Sequence, residues 1–173
     1  TAAIFFVTFL VISFLRSGDF SKLILIVAAA LSGVFLLLRF KPYIADRFAA
    51  WGHVWEVADE AGFQQTRTMM YSASGGLVGV GAGGGHLNDV FASSTDLVFG
   101  VVTEEWGLII SSLAVLSIVA LSFFAVRSIM AGRSTFYTIC ACAATTILIF
   151  QVILNVFGSV DLLPLTGVTF PFV

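Results

Sequence analysis

Long apolar runs separated by short polar turns leave this chain few ways to fold. A helix needs roughly 20 apolar residues to cross the hydrocarbon core of a bilayer. Residues 23–40, 96–126 and 135–157 meet that length, and the last two are separated only by a basic turn at 127–134. Residues 1–15 are equally apolar but shorter, followed by the polar turn RSGDFSK at 16–22. Hydrophobic residues make up 59% of the chain and charged ones 10%. Soluble domains run at about 45–50% and about 25%. The expected fold class is therefore all-α, a polytopic transmembrane helix bundle of about five spans in one membrane domain over 1–173. The chain starts without an initiator Met or a basic leader and stops just after Phe-Pro-Phe. It reads as a segment of a larger protein, not expected to be active alone.

Net charge is -2, which argues against a nucleic-acid surface. Cys140 and Cys142 lie two apart in one apolar run, about 200° apart on a helix, so they cannot bridge each other there.

The remaining segments are polar or glycine-rich. Residues 41–63 carry Lys41, Asp46, Arg47, Glu56, Asp59 and Glu60 beside Trp51 and Trp55, the mix of an interfacial segment. Residues 64–85 contain SGGLVGVGAGGG and read as a short or broken span. If that stretch crosses fully, the spans alternate. Arg39, Lys41, Arg47, Arg67, Arg127 and Arg133 then share one side, against Arg16 and Lys22 on the other. The positive-inside rule makes 41–63 cytoplasmic, and 82–96 and 158–173 outward-facing, the last a loop or re-entrant segment.

Three acidic residues stand out. Asp96 follows Ser93-Ser94-Thr95 and opens a long apolar helix, which fits either an N-terminal cap or a general base at the outer surface. Glu104 and Glu105 fall roughly 12 Å further along that helix, Glu104 roughly 80° around from Asp96 and Glu105 roughly 180°. Ionisable side chains at that depth face a partner or a cavity rather than lipid, and Arg67 is a candidate partner. Gln151 and Asn155 share a helix face and fit interhelical hydrogen bonding. His86 and Asp89 alone are too few ligands for a metal site. The glycine run has no βαβ surroundings, so it is close packing or a flexible loop rather than a nucleotide fingerprint.

The order of these motifs is specific. Gly62-Phe-Gln-Gln-Thr, the run from Ser74 to Gly83, Thr95-Asp96-Leu-Val-Phe, Glu104-Glu105-Trp-Gly107 and Leu163-Pro-Leu-Thr-Gly-Val-Thr-Phe-Pro-Phe172 resemble, in sequence and spacing, the SEDS family of shape, elongation, division and sporulation proteins, of the FtsW/RodA type. The match runs from about Lys41 to the end. It departs from the family at Arg67-Thr68, at the residues just before Thr95, and at Leu97, where the family has an aromatic. The resemblance implies a ten-helix protein of which this chain covers roughly helices 5 to 9.

It also implies a multi-pass protein of the bacterial plasma membrane that polymerises lipid II into peptidoglycan as a glycosyltransferase. Asp96 would be the catalytic carboxylate, taking the proton of the acceptor 4-hydroxyl. Thr95, Glu104, Glu105 and Thr166 would lie at the substrate. A divalent metal (Mg or Mn) would be the cofactor, with its ligands unassigned. The implied partners are lipid II, a class B penicillin-binding transpeptidase and membrane lipids, with no nucleic acid. Two other functions fit the same pattern, a lipid II flippase and a non-catalytic scaffold for the transpeptidase.

Overall fold

The computed structural model describes residues 2–40, 51–130 and 134–172. Lys41, Asp46, Arg47 and Arg133, each used in the charge argument above, lie outside the described residues. The described residues form five α-helices and a short 3-10 turn, without strands. They are α1 (Ala2–Ser17), α2 (Phe20–Phe40), α3 (Phe63–Gly75), the 3-10 turn Leu87–Asp89, α4 (Val98–Met130) and α5 (Thr135–Ser159). The chain divides into two compact units, one of Thr1–Ala45 with Val119–Phe150 and one of Asp46–Ile118 with Gln151–Val173.

In the first unit, α1 and α2 make a helical hairpin. The polar turn expected at 16–22 tightens to two residues. Gly18, at φ 62°, ends α1 and donates its N–H to the Phe14 carbonyl at 2.8 Å. Asp19 caps α2 by accepting the Ser21 N–H at 3.0 Å. A left-handed glycine followed by an aspartate cap suits a stop and restart of helix within two residues. Phe14 and Phe20 pack their rings across the turn, centroids 4.8 Å apart.

Val98–Ser128 (31 residues) and Thr135–Ser159 (25 residues) are long and apolar enough to cross a membrane. Their burial runs opposite to a soluble helix. On α4, Leu113, Leu116 and Phe124 are each more than half exposed while Ser111 and Ser122 are buried. Large apolar groups facing out and small polar ones facing in is the arrangement lipid selects.

In the second unit the chain folds back on itself. α3 has only 13 residues, about 20 Å of helix, against a core of about 30 Å. Its first turn reaches the end of α5, where Gln65 Nε2 donates to the Gly158 carbonyl at 2.6 Å and the Leu163 carbonyl at 3.2 Å. After Gly75 the chain turns back. Gln64 Nε2, at the start of α3, donates to the Phe91 carbonyl at 3.0 Å, so 91 has returned to the level of 64. Residues 64 and 91 therefore come side by side, with the chain between them folded back on itself. Trp51 Nε1 donates to the Leu162 carbonyl, and the Gly52 N–H to Asp161 Oδ1. Trp51 and Gly52 thus lie beside Asp161 and Leu162. The physical reason for the fold-back is the glycine content: 75–85 does not continue the helix, and its backbone pairs instead.

Candidate active site

The site is built on a break in α4. Gly107 sits at φ 82°, ψ 166°, a conformation essentially confined to glycine. The break removes the two helical bonds that would join Glu104 and Glu105 carbonyls to the Leu108 and Ile109 amides. Four backbone groups would be orphaned, at about 1–3 kcal/mol each. The glycine run supplies all four partners. Val80 and Gly81 donate N–H groups to the Glu104 and Glu105 carbonyls, at 2.9 and 3.0 Å. Leu108 and Ile109 donate theirs to the Gly76 and Leu77 carbonyls, at 3.0 and 3.3 Å. Side chains would prevent that approach: a Cβ on Gly107 would collide with the Leu77 carbonyl oxygen, and one on Gly79 with that of Glu105. The two motifs that look separate in sequence, Gly75–Gly85 and Glu104–Gly107, are halves of one paired break. Irregular backbone at membrane depth is stable when it is covered in this way.

The glutamates hold the loop that follows. Glu104 is 1% exposed, and its two carboxylate oxygens accept the His86 N–H at 2.8 Å and the Leu87 N–H at 2.9 Å. Leu87 is fully buried. Glu105 Oε1 accepts from Asn88 Nδ2 at 2.7 Å. The expected pairing with Arg67 does not form. Arg67 lies over the Phe63 ring, 5.3 Å from its centroid, and the ion pair found among the described residues is Lys22–Asp19. Glu104→Ala should therefore release the buried Leu87 amide and the part-buried His86 amide and cost about 3 kcal/mol. Faster hydrogen exchange at His86 and Leu87 with a lower Tm is the expected result. Unchanged exchange there would contradict the clamp.

Asp96 stands apart from this clamp. The capping alternative fails on geometry. α4 begins at Val98, and among the described residues the Asp96 carboxylate accepts no hydrogen bond from a backbone amide or any other donor. The carboxylate is half-buried and lies against the segment after α5: a Cβ built on Gly167, which has φ +63°, would be 3.0 Å from Asp96 Oδ2. Asn155 binds both segments. Its Nδ2 donates to the Asp96 carbonyl at 2.9 Å and to the Val168 carbonyl at 2.7 Å. Thr95 and Thr166 are exposed on either side. Thr95 Oγ1 makes a 3.3 Å bond to the Ala92 carbonyl. The structure thus brings Asp96 together with the Leu163–Phe172 motif, and sets Glu104 and Glu105 in the loop clamp.

Two carboxamides that matter here had weak sequence signals. Asn155 reads as an interhelical bond, but its partners are the loop carbonyls of Asp96 and Val168. Gln65 was visible only as part of Gly62-Phe-Gln-Gln-Thr. Gln151, on the same face as Asn155, is part-exposed.

Among the described residues no three His, Cys, Asp or Glu side chains come together. The described residues therefore do not form a cage for a resident divalent ion, and Asp96 offers a single carboxylate. A cavity of about 420 Å³ lies between α3, α4 and the end of α5, walled by Met69, Ala73, Leu77, Phe99 and Leu108. The hydroxyls on its wall are directed to backbone carbonyls, Ser72 to Gly100 at 3.4 Å and Thr103 to Phe99 at 2.7 Å. It carries no acid or base.

Comparison with known proteins agrees with the motif order. The FtsW/RodA/SpoVE family model, described as cell cycle protein, matches residues 1–173. The chain is 30% identical over 181 residues to a protein of Escherichia coli O6:H1 named probable peptidoglycan glycosyltransferase FtsW, covering 100% of this chain and 43% of that one. It is 27% identical over 178 residues to a protein of the same name from Buchnera aphidicola, covering 100% and 45%. It is 26% identical over 167 residues to the peptidoglycan glycosyltransferase RodA of Mycobacterium bovis, covering 96% and 36%. The chain spans less than half the length of these relatives. With the motifs, the helical fold and the full-length family match in agreement, the chain belongs to the FtsW/RodA/SpoVE family of cell cycle proteins.

Proposed function

We propose that this chain forms the catalytic face of a peptidoglycan glycosyltransferase that polymerises lipid II at the outer surface of the bacterial plasma membrane. The observation that carries the reading is the Asp96 carboxylate, which is half-buried, unbonded among the described residues and held between the start of α4 and the Gly167 turn. A carboxylate that caps nothing and pairs with nothing is available to take a proton. Polymerisation joins the acceptor 4-hydroxyl oxygen to the anomeric carbon of the donor sugar as the bond from that carbon to the pyrophosphate oxygen breaks. The hydroxyl proton goes to Asp96, and the electron pair leaves with the pyrophosphate. General-base assistance of this kind is worth about 10²–10⁴-fold.

Thr95 and Thr166, both exposed, would hydrogen-bond the sugars in this reading. Glu104 and Glu105 serve the substrate indirectly, by holding the loop from His86 that leads to Asp96. A class B penicillin-binding transpeptidase is the proposed partner, which would cross-link the strands formed here. No step is assigned to a divalent ion, because the described residues do not hold one.

A lipid II flippase is the competing function, and the re-entrant α3 gives it a specific basis, since broken helices also serve alternating access. Proteoliposomes containing the full-length protein and lipid II separate the two. The glycosyltransferase reading expects glycan chains resolved by length on a gel. Movement of lipid II across the bilayer without polymer would overturn it in favour of the flippase.

A further inference from the structure

We propose that Asn155 is a positioning residue that sets the Asp96 carboxylate, an inference that rests on the reading of Asp96 as the base. Asn155 is 2% exposed near the end of α5, and one amide nitrogen serves two segments: the Asp96 carbonyl, 59 residues away in sequence, and the Val168 carbonyl, 13 away. Each bond fixes one wall of the site. The first holds the backbone of Asp96 itself, leaving only its side-chain torsions to place the carboxylate. The second holds the residue next to Gly167, whose backbone abuts Asp96 Oδ2.

The asparagine makes two bonds and leaves one acceptor unmet. Its Oδ1 is buried and has no donor among the described residues. An orphaned acceptor of this kind costs about 1–3 kcal/mol. A leucine of similar volume would remove that orphan but leave two carbonyls unheld, so the amide also ties the segments together, and a kcat readout separates that tie from positioning. What the amide adds is the registry of the two segments around one carboxylate. Gln65 performs a similar double donation to Gly158 and Leu163, but neither partner adjoins Asp96.

The test is lipid II polymerisation by the full-length protein, with kcat and KM separated. Asn155→Leu removes the donors at constant volume. Asn155→Gln keeps the carboxamide, and with it a folded protein, but displaces it by one methylene. Both should lower kcat about 10–100-fold with KM within about twofold, as expected for roughly ångström misplacement of a catalytic group. Should Asn155→Leu fail to fold, Asn155→Gln decides. A kcat within twofold of the parent, or a raised KM at constant kcat, would overturn the inference. Asp96→Asn is run beside them. If it is inactive while the Asn155 variants are active, only the positioning role fails. If Asp96→Asn itself polymerises, the reading of Asp96 fails, and the positioning role with it.

Discussion

Asp96→Asn in the full-length protein is expected to reduce lipid II polymerisation at least about 100-fold while leaving expression and folding unchanged. The size follows from the step assigned to it. The amide matches the carboxylate in shape but cannot accept the proton of the acceptor hydroxyl, so the general-base contribution of about 10²–10⁴ is lost. The neutrality of folding follows from the structure. The carboxylate accepts no bond among the described residues, and the contacts that hold this segment, the Asn155 bond to the Asp96 carbonyl and the Asp96 N–H bond to the Ala92 carbonyl at 2.9 Å, belong to the backbone. Loss of activity accompanied by loss of folded protein would point to a structural role. Binding of the transpeptidase with normal cell-wall synthesis in the variant would favour the scaffold function instead.

Gly107→Ala should have the largest effect on folding. Three costs act at one position. Alanine at φ 82°, ψ 166° enters a region essentially reserved for glycine, at about 1–3 kcal/mol. Its methyl would collide with the Leu77 carbonyl oxygen, driving the two backbones apart. That separation threatens the four exchanged hydrogen bonds, whose groups have no water to turn to at membrane depth. The sum exceeds about 4 kcal/mol, in the range where single substitutions unfold a protein. Yield of folded protein in detergent and its Tm check this. Alanine restoring a continuous helix, with unchanged yield, would show that the paired break is dispensable.

The sequence made the spanning helices legible because lipid leaves a plain mark: residues 96–126 and 135–157 are long and apolar, and α4 and α5 lie over them. The turn between α1 and α2 was readable as the polar stretch 16–22, without the cap residues that tighten it. Residues 64–97 were the least legible, because local signals cannot decide there. A glycine run is compatible with a loop, a packed helix or an extended pairing, and the choice depends on a partner thirty residues on in the chain. Gly107 is invisible as a helix break until the carbonyls of 76 and 77 are seen to replace its missing bonds. Within the site, Asp96 was legible from its position before an apolar helix. Its freedom from capping was not, since a Ser-Ser-Thr-Asp sequence normally supplies a cap. Glu104 was legible as a buried acid with a partner. That the partner is backbone rather than Arg67 required the loop fold.

The division of labour between the two buried-end acids is the centre of this account, and one comparison tests it most directly. Initial rates of lipid II polymerisation are measured for Asp96→Asn and Glu104→Gln at matched amounts of folded full-length protein. Each variant replaces one carboxylate oxygen by an amide nitrogen. Asp96→Asn should fall to about 1% of the parent rate or less. Glu104→Gln, which keeps one acceptor for the His86 and Leu87 amides, should stay within about tenfold of the parent rate and show its cost as a lower Tm. The reverse ranking, with Glu104→Gln inactive and Asp96→Asn active, would contradict it.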